Sequence, residues 1–302
     1  MEPQLLHTVE DGVATVVIHN PAKRNAMTAP MWRALPALLD GLAADPGVRV
    51  LVLTGEGDTF CSGADISSMR DSTHSSPSSY PEGPGYAGPG AEDAGAAAPG
   101  GGADGAAPIG RHATQALAVR AEEALAAFPK PTVAAVRGHC VGGGCQLAAA
   151  CDLRFADERA LFGVTPARLG IVYPAPATRR LVRLVGPATA KYLLFSAELV
   201  GAQHALRTGL VDEVVPHGRL GERVTAFTRV LTSRSLLTQA AAKELVDGRG
   251  WDGEGRGEGD GNGQDRSEYW AEQVESSGER AEGVAAFLER RAPRFGWNAT
   301  RG

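Results

Sequence analysis

The sequence predicts an α/β fold, and three observations carry that prediction. Short apolar, β-branched runs alternate with amphipathic stretches of helical period along the first two thirds of the chain. Two glycine-rich turns, TFCSGADISSM (59–69) and VRGHCVGGGCQLAAACD (136–152), are each entered from a strand and lead into a helix start. The last third reads as helix after helix.

Taken in order, GVATVVIHN (12–20) alternates and then runs apolar, as a strand does, and with the residues before it forms a strand pair. Thr28 caps a helix through MWRALPALLDGLAAD, with Pro36 a potential kink inside it. VRVLVLTG (48–55) is a buried strand ended by glycine. TVAAVRG (132–138) and CDLRFAD (151–157) are two more, the first introduced by Pro129–Pro131. Three helical segments follow: LGERVTAFTRVLTS, SLLTQAAAKELVDG and SEYWAEQVESSGERAEGVAAFLERR. Val284, Phe287 and Leu288 fall at helical spacing in the last, which is expected to dock on its own domain or on a partner subunit.

Two segments are foreign to this pattern. Residues 71–110 are rich in Ser, Pro, Gly and Ala, and residues 248–266 carry glycine at nearly every other place. Neither buries enough apolar surface to offset the entropy of ordering, so both are expected to be mobile insertions.

Composition narrows the function. The 302 residues are 43% hydrophobic and 22% charged, with a net charge of −5. That balance speaks against a nucleic-acid partner and for small-molecule work. No apolar run reaches the roughly 18 residues of a membrane span, and the amino terminus reads as strands rather than a secretory signal, so no membrane partner and a cytoplasmic location are expected. Cys61, Cys140, Cys145 and Cys151 show neither CxxC nor zinc-ligand spacing, so buried free thiols and no metal are expected.

The glycine turns carry the candidate chemistry. Backbone N–H groups at a helix start lack carbonyl partners, and glycines let a ligand approach them. Two such groups aimed at one point make an oxyanion hole; close helix packing explains a glycine turn equally well, and composition does not show that the two turns converge.

NPAKRNAM, FCSGADI and AAVRGHCVGGGCQLAAACDLRFA, in this order and at these distances, resemble the enoyl-CoA hydratase/isomerase (crotonase) family. LGIVYPAPATRRLVRLVG, GLVDEVV and EGVAAFLERRAPRF continue the match. The resemblance implies a crotonase (ClpP-like) spiral of ββα units over 1–215, with the insertion at about 71–110. A helical region over 216–302 follows, used for trimerisation, with the insertion at about 248–266. It implies an acyl-CoA thioester substrate, no cofactor beyond the coenzyme A of that substrate, and a homo-oligomer, either a trimer or a dimer of trimers.

It also implies site residues. The N–H groups of Ala64 and Gly143 bind the thioester carbonyl and stabilise an enolate, with Gly142 beside them. Ala26, Ser62, Asp65 and Ile66 lie along the coenzyme. Lys23, Arg24, Phe287, Arg290 and Arg291 close over it, the basic ones meeting phosphate or simply solvent.

The sequence departs from the family where hydration is done. Hydratases of this family carry two glutamates that hold water as general base and general acid. Those positions read Gln146 and Pro166 here, and neither side chain titrates near neutral pH. Tyr173 is a candidate proton donor, or else an aromatic plug. Arg168 faces a substrate carboxylate or the solvent; Asp65 titrates or contacts the NPAKRNAM loop; His139 packs or transfers protons. His74 and His112 flank the insertion. Cys61 and Cys145 lack an evident histidine partner. Three readings follow: enolate chemistry by isomerisation, decarboxylation or atypical hydration; hydration with a substitute acid/base; and an idle CoA-binding subunit.

Overall fold

The computed structural model describes residues 2–65, 111–247 and 266–298. Both insertions, apart from Arg266, lie outside these residues, as do Ile66 and His74.

Among the described residues, nine strands and the helices between them build the core around a six-stranded sheet. β1 (Gln4–Glu10) and β2 (Val13–His19) form an antiparallel hairpin turned at Asp11–Gly12. β3 (Val50–Gly55), β4 (Thr132–Val136), β6 (Leu153–Asp157) and β9 (Glu213–Val215) extend it in parallel, in the order β1-β2-β3-β4-β6-β9. The four strand runs read from the sequence are therefore all in this one sheet. A second sheet of three short strands, β5 (His139–Val141), β7 (Leu161–Gly163) and β8 (Leu199–Gly201), stands beside it in the order β5-β7-β8. Three-residue strands leave no periodicity to read.

α1 (Ala29–Ala44) starts at Thr28, whose hydroxyl accepts from Met31 N at 3.4 Å. Pro36 does not end it. The helix buries Met31, Trp32, Leu35, Leu39 and Leu42 on one face, and that burial outweighs a cost of about 3 kcal/mol for an interior proline. α2 (Arg111–Ala126) packs on α1 and on α3 (Gly143–Ala150). α4 (Ala175–Ser196) is bent at Gly186–Pro187 and leads through β8 into α5 (Ala202–Thr208).

α6 (Leu220–Thr232) covers the other face of the sheet, with Leu220 and Val224 against Val52, Val133 and Phe155. α7 (Leu236–Val246) is tied to the core by Lys243, which pairs with Asp152 at 2.9 Å. The final predicted helix is two: α8 (Arg266–Ser277) and α9 (Glu279–Leu288), divided at Gly278. Gly278 takes φ +72°, a left-handed conformation that ends α8 and redirects the chain. Nor does α9 dock its apolar positions on this chain: Val284, Phe287 and Leu288 are 55%, 83% and 75% exposed. No described helix is long and apolar enough to cross a membrane, and all four cysteines are buried and free.

Candidate active site

The two glycine turns converge. Residues 61–65 thread between two neighbours: Met27 N donates to Gly63 O at 2.8 Å and Asp65 N to Met27 O at 2.9 Å on one side. On the other, Cys61 N donates to His139 O and Val141 N to Cys61 O, both at 2.9 Å. This ladder is parallel and bridges Cys61 to Cys140. Ala64 is thus an extended residue bridged to Met27, not the first residue of a helix. A methyl group built on Gly143 would stand 3.6 Å from Ala64 N, and one built on Gly63 would stand 3.6 Å from Gly143 N. Among the described residues, neither the Ala64 nor the Gly143 N–H is taken by a backbone acceptor.

Gly142 makes the second turn possible. Its φ of +54° suits glycine alone, and it brings Gly143 into the first position of α3, where the N–H points out of the helix. Gly142 N donates to Gly163 O at 2.8 Å, which anchors the turn to β7. Beneath it lies Trp32 of α1, fully buried; a methyl on Gly143 would come within 3.0 Å of its Cζ2.

Gln146 occupies the first turn of α3, 8% exposed, and its amide has no hydrogen-bond partner among the described residues. It shares a cavity of about 10 Å³ with Cys145, Tyr173 and Arg180, room for about one water. The Tyr173 hydroxyl donates to Gly142 O at 3.1 Å, so the phenol sits on the oxyanion turn itself. Burial first, then the nearby Cys145 and Glu122, push this phenol well above the usual tyrosine range, so it stays protonated. Pro166 is buried at the start of a 3-10 turn, Pro166–Leu169, with no proton to exchange.

The other candidates are dispersed. Lys23 Nζ pairs with Asp65 Oδ2 at 2.7 Å, so the predicted contact between Asp65 and the NPAKRNAM loop exists and Lys23 is committed to it. Ser62 braces the same loop, its N donating to Arg24 O and its Oγ to Lys23 O, both at 3.0 Å. Ala26 is buried, its carbonyl accepting from Asn20 Nδ2 at 2.7 Å, and Arg24 is exposed. Arg168 is exposed on the 3-10 turn and does not line the cavity. Phe287 and Arg290 are exposed at the end of α9, while Arg291 is held by Glu282 and Glu289. Burial raises the Cys61 thiol to about 12, which removes it as a nucleophile.

Three residues at the site were not singled out from the sequence: Trp32, Glu122 and Arg180. Glu122 of α2 is 1% exposed. Its signal was available, because it lies three residues before Leu125 and four after Ala118 on the apolar stripe of its helix.

The sequence profile of the enoyl-CoA hydratase/isomerase family matches residues 8–83 and 110–298. A crotonyl-CoA hydratase of Syntrophomonas wolfei is 33% identical over 240 residues, 78% of this chain and 79% of that protein. A 2,3-dehydroadipyl-CoA hydratase of Escherichia coli is 29% identical over 97% of this chain and 98% of its own. The crystal structure of an enoyl-CoA hydratase/isomerase family member superposes with a TM-score of 0.78 at 36% identity, covering 99% of both chains. With its converging glycine turns set in the same fold, this chain belongs to the enoyl-CoA hydratase/isomerase family.

Proposed function

We propose that this protein binds an acyl-CoA thioester and carries out enolate chemistry on it, by isomerisation, decarboxylation or a hydration that does without the usual pair of glutamates. The observation that carries the reading is the convergence of Ala64 N–H and Gly143 N–H beside two positions, Gln146 and Pro166, that hold no carboxylate. Two preorganised donors at one point favour the charge that develops on a thioester oxygen when an enolate forms. Gln146 holds a water or a substrate oxygen through its amide but accepts no proton from it. Tyr173 supplies a proton from a hydroxyl that already reaches the oxyanion turn.

The test is mass spectrometry of crotonyl-, 3-enoyl-, methylmalonyl- and acetoacetyl-CoA incubated with the protein in heavy water. Deuterium next to the thioester, loss of carbon dioxide or gain of water is the expected outcome, and each names a different reaction. Thioesters that return unchanged while still raising the melting temperature would leave an idle CoA-binding subunit instead. Tyr173→Phe is expected to slow the observed reaction about a hundredfold without weakening thioester binding; an unchanged rate makes Tyr173 a filler of the pocket.

Self-association belongs to the same reading. Val284, Phe287 and Leu288 expose an apolar face on α9 that suits a second copy of the chain. Sedimentation of the wild type is expected to show a trimer or a dimer of trimers and Phe287→Asp a smaller species; a monomeric wild type excludes it.

A further inference from the structure

The site has an oxyanion hole and a proton donor but, in the residues described so far, nowhere for a proton to reside between its removal and its return. Gln146 and Pro166 do not titrate. Tyr173 does not hold the negative charge, since its surroundings keep the phenol neutral. His139 lies on β5 and lines no part of the cavity.

Glu122 stands behind this wall. It is an acid on α2 next to the buried Ala121 and Leu125, almost wholly shielded from water, and its Oε1 has no hydrogen-bond partner. A buried carboxyl left without a partner costs stability, and it persists where the surrounding structure or a function requires it. Arg180 of α4 faces it and is itself incompletely used. Its Nη2 pairs with Glu123 at 2.7 Å, while Nη1 is buried with no partner. Arg180 lines the cavity together with Gln146 and Tyr173. Through its pair with Glu123, Arg180 ties the helix that carries Glu122 to the cavity, where the loop before α4 adds the Tyr173 phenol.

We propose that Glu122, in the field of Arg180 and exchanging protons with the cavity through a water, is the proton-holding group of this site and takes over the work of the two missing glutamates. The inference rests on the enolate reading above. The step balances without any co-reactant. The Cα–H bond of the acyl chain breaks and its electron pair passes into the thioester, held as an enolate by Ala64 and Gly143. The proton goes to the Glu122 carboxylate through the one water that the cavity beside Tyr173 has room for, and Glu122 becomes the neutral acid. Reversal of the relay returns a proton to the same carbon or to one conjugated with it.

Electrostatics agree with this placement. Burial pushes the Glu122 carboxyl up to about 8, the Arg180 guanidinium pulls it down, and Glu123 pushes it up again. Tyr173, raised first by burial, remains neutral throughout this range. A carboxyl poised near neutral pH both takes and gives a proton readily.

The experiment follows deuterium uptake into 3-hexenoyl-CoA in heavy water from pH 6 to pH 9, with the full-length wild type, Glu122→Gln and Glu122→Asp. Wild-type uptake is expected to rise with pH and level off as a group near pH 8 ionises, because the carboxylate is the accepting form. Glu122→Gln is expected to lose about a hundredfold in rate and the pH-dependent limb with it, at unchanged thioester affinity. Glu122→Asp is expected to restore the limb with a displaced midpoint. A Glu122→Gln enzyme that keeps the wild-type profile overturns the inference and leaves the enolate reading intact; a wild type that exchanges no thioester overturns both. Should Glu122→Gln not fold, the infrared carboxyl band of the wild type decides. A protonated band at neutral pH that shifts on adding 3-hexenoyl-CoA supports the inference, and its absence or indifference to the thioester overturns it.

Discussion

Gly143→Pro is expected to slow enolate formation by about a hundred- to a thousandfold relative to Gly143→Ala, the range seen when one oxyanion donor is lost. The comparison isolates a single N–H. Gly143 is the first residue of α3, a position where proline is well tolerated, because the N–H it removes has no intrahelical partner. Any Cβ there meets Trp32 Cζ2 at 3.0 Å, so alanine and proline share that strain and differ mainly in the donor. The rate of deuterium uptake into a 3-enoyl-CoA, measured for both variants at equal thermal stability, is the check. Equal rates in the two would remove Gly143 N–H from the chemistry.

Gly144→Ala is expected to cost folding rather than rate. A methyl on Gly144 would stand 2.3 Å from Cys61 O, 2.8 Å from Cys61 Cβ and 3.0 Å from Cys61 C. These are mostly backbone atoms of the opposing turn, so no side-chain rotation relieves the overlap. That backbone is also held fast: Cys61 O accepts from Val141 N, and Cys61 N donates to His139 O. The two turns can separate only by breaking this ladder. A loss of about 4 kcal/mol or more is expected, read as a fall in melting temperature of roughly 10 °C or as failure to accumulate folded protein. A melting curve that overlays the wild type would mean that the turns are not in the contact described.

The two predictions share a cause. The glycines of VGGGCQ serve different purposes one residue apart: Gly142 for its left-handed backbone, Gly143 for an open N–H above Trp32, and Gly144 for the close approach of Cys61. A run of three glycines in sequence does not distinguish these purposes. The partners that separate them, Trp32, Ala64 and Cys61, lie between 79 and 111 residues away along the chain.

The sequence by itself determined the α/β class, four parallel-sheet runs (β2, β3, β4 and β6) of the large sheet, the cap at Thr28 and the family, because each rests on local pattern or on an ordered string of motifs. It also determined that Gln146 and Pro166 carry no carboxylate, a matter of residue identity alone. Only the tertiary structure decided that the glycine turns meet, that α9 is separate from α8 with its apolar face exposed, and that Lys23 is spent on Asp65. The same holds for the placement of Glu122, whose helical phase shows in RAEEALAAF but whose neighbours Arg180 and Tyr173 come from α4 and the loop before it. The physical reason is common to all of these. Periodicity and propensity are short-range properties, whereas burial, the donors left open at a helix start and the environment of a carboxyl depend on segments that come together only when the chain folds.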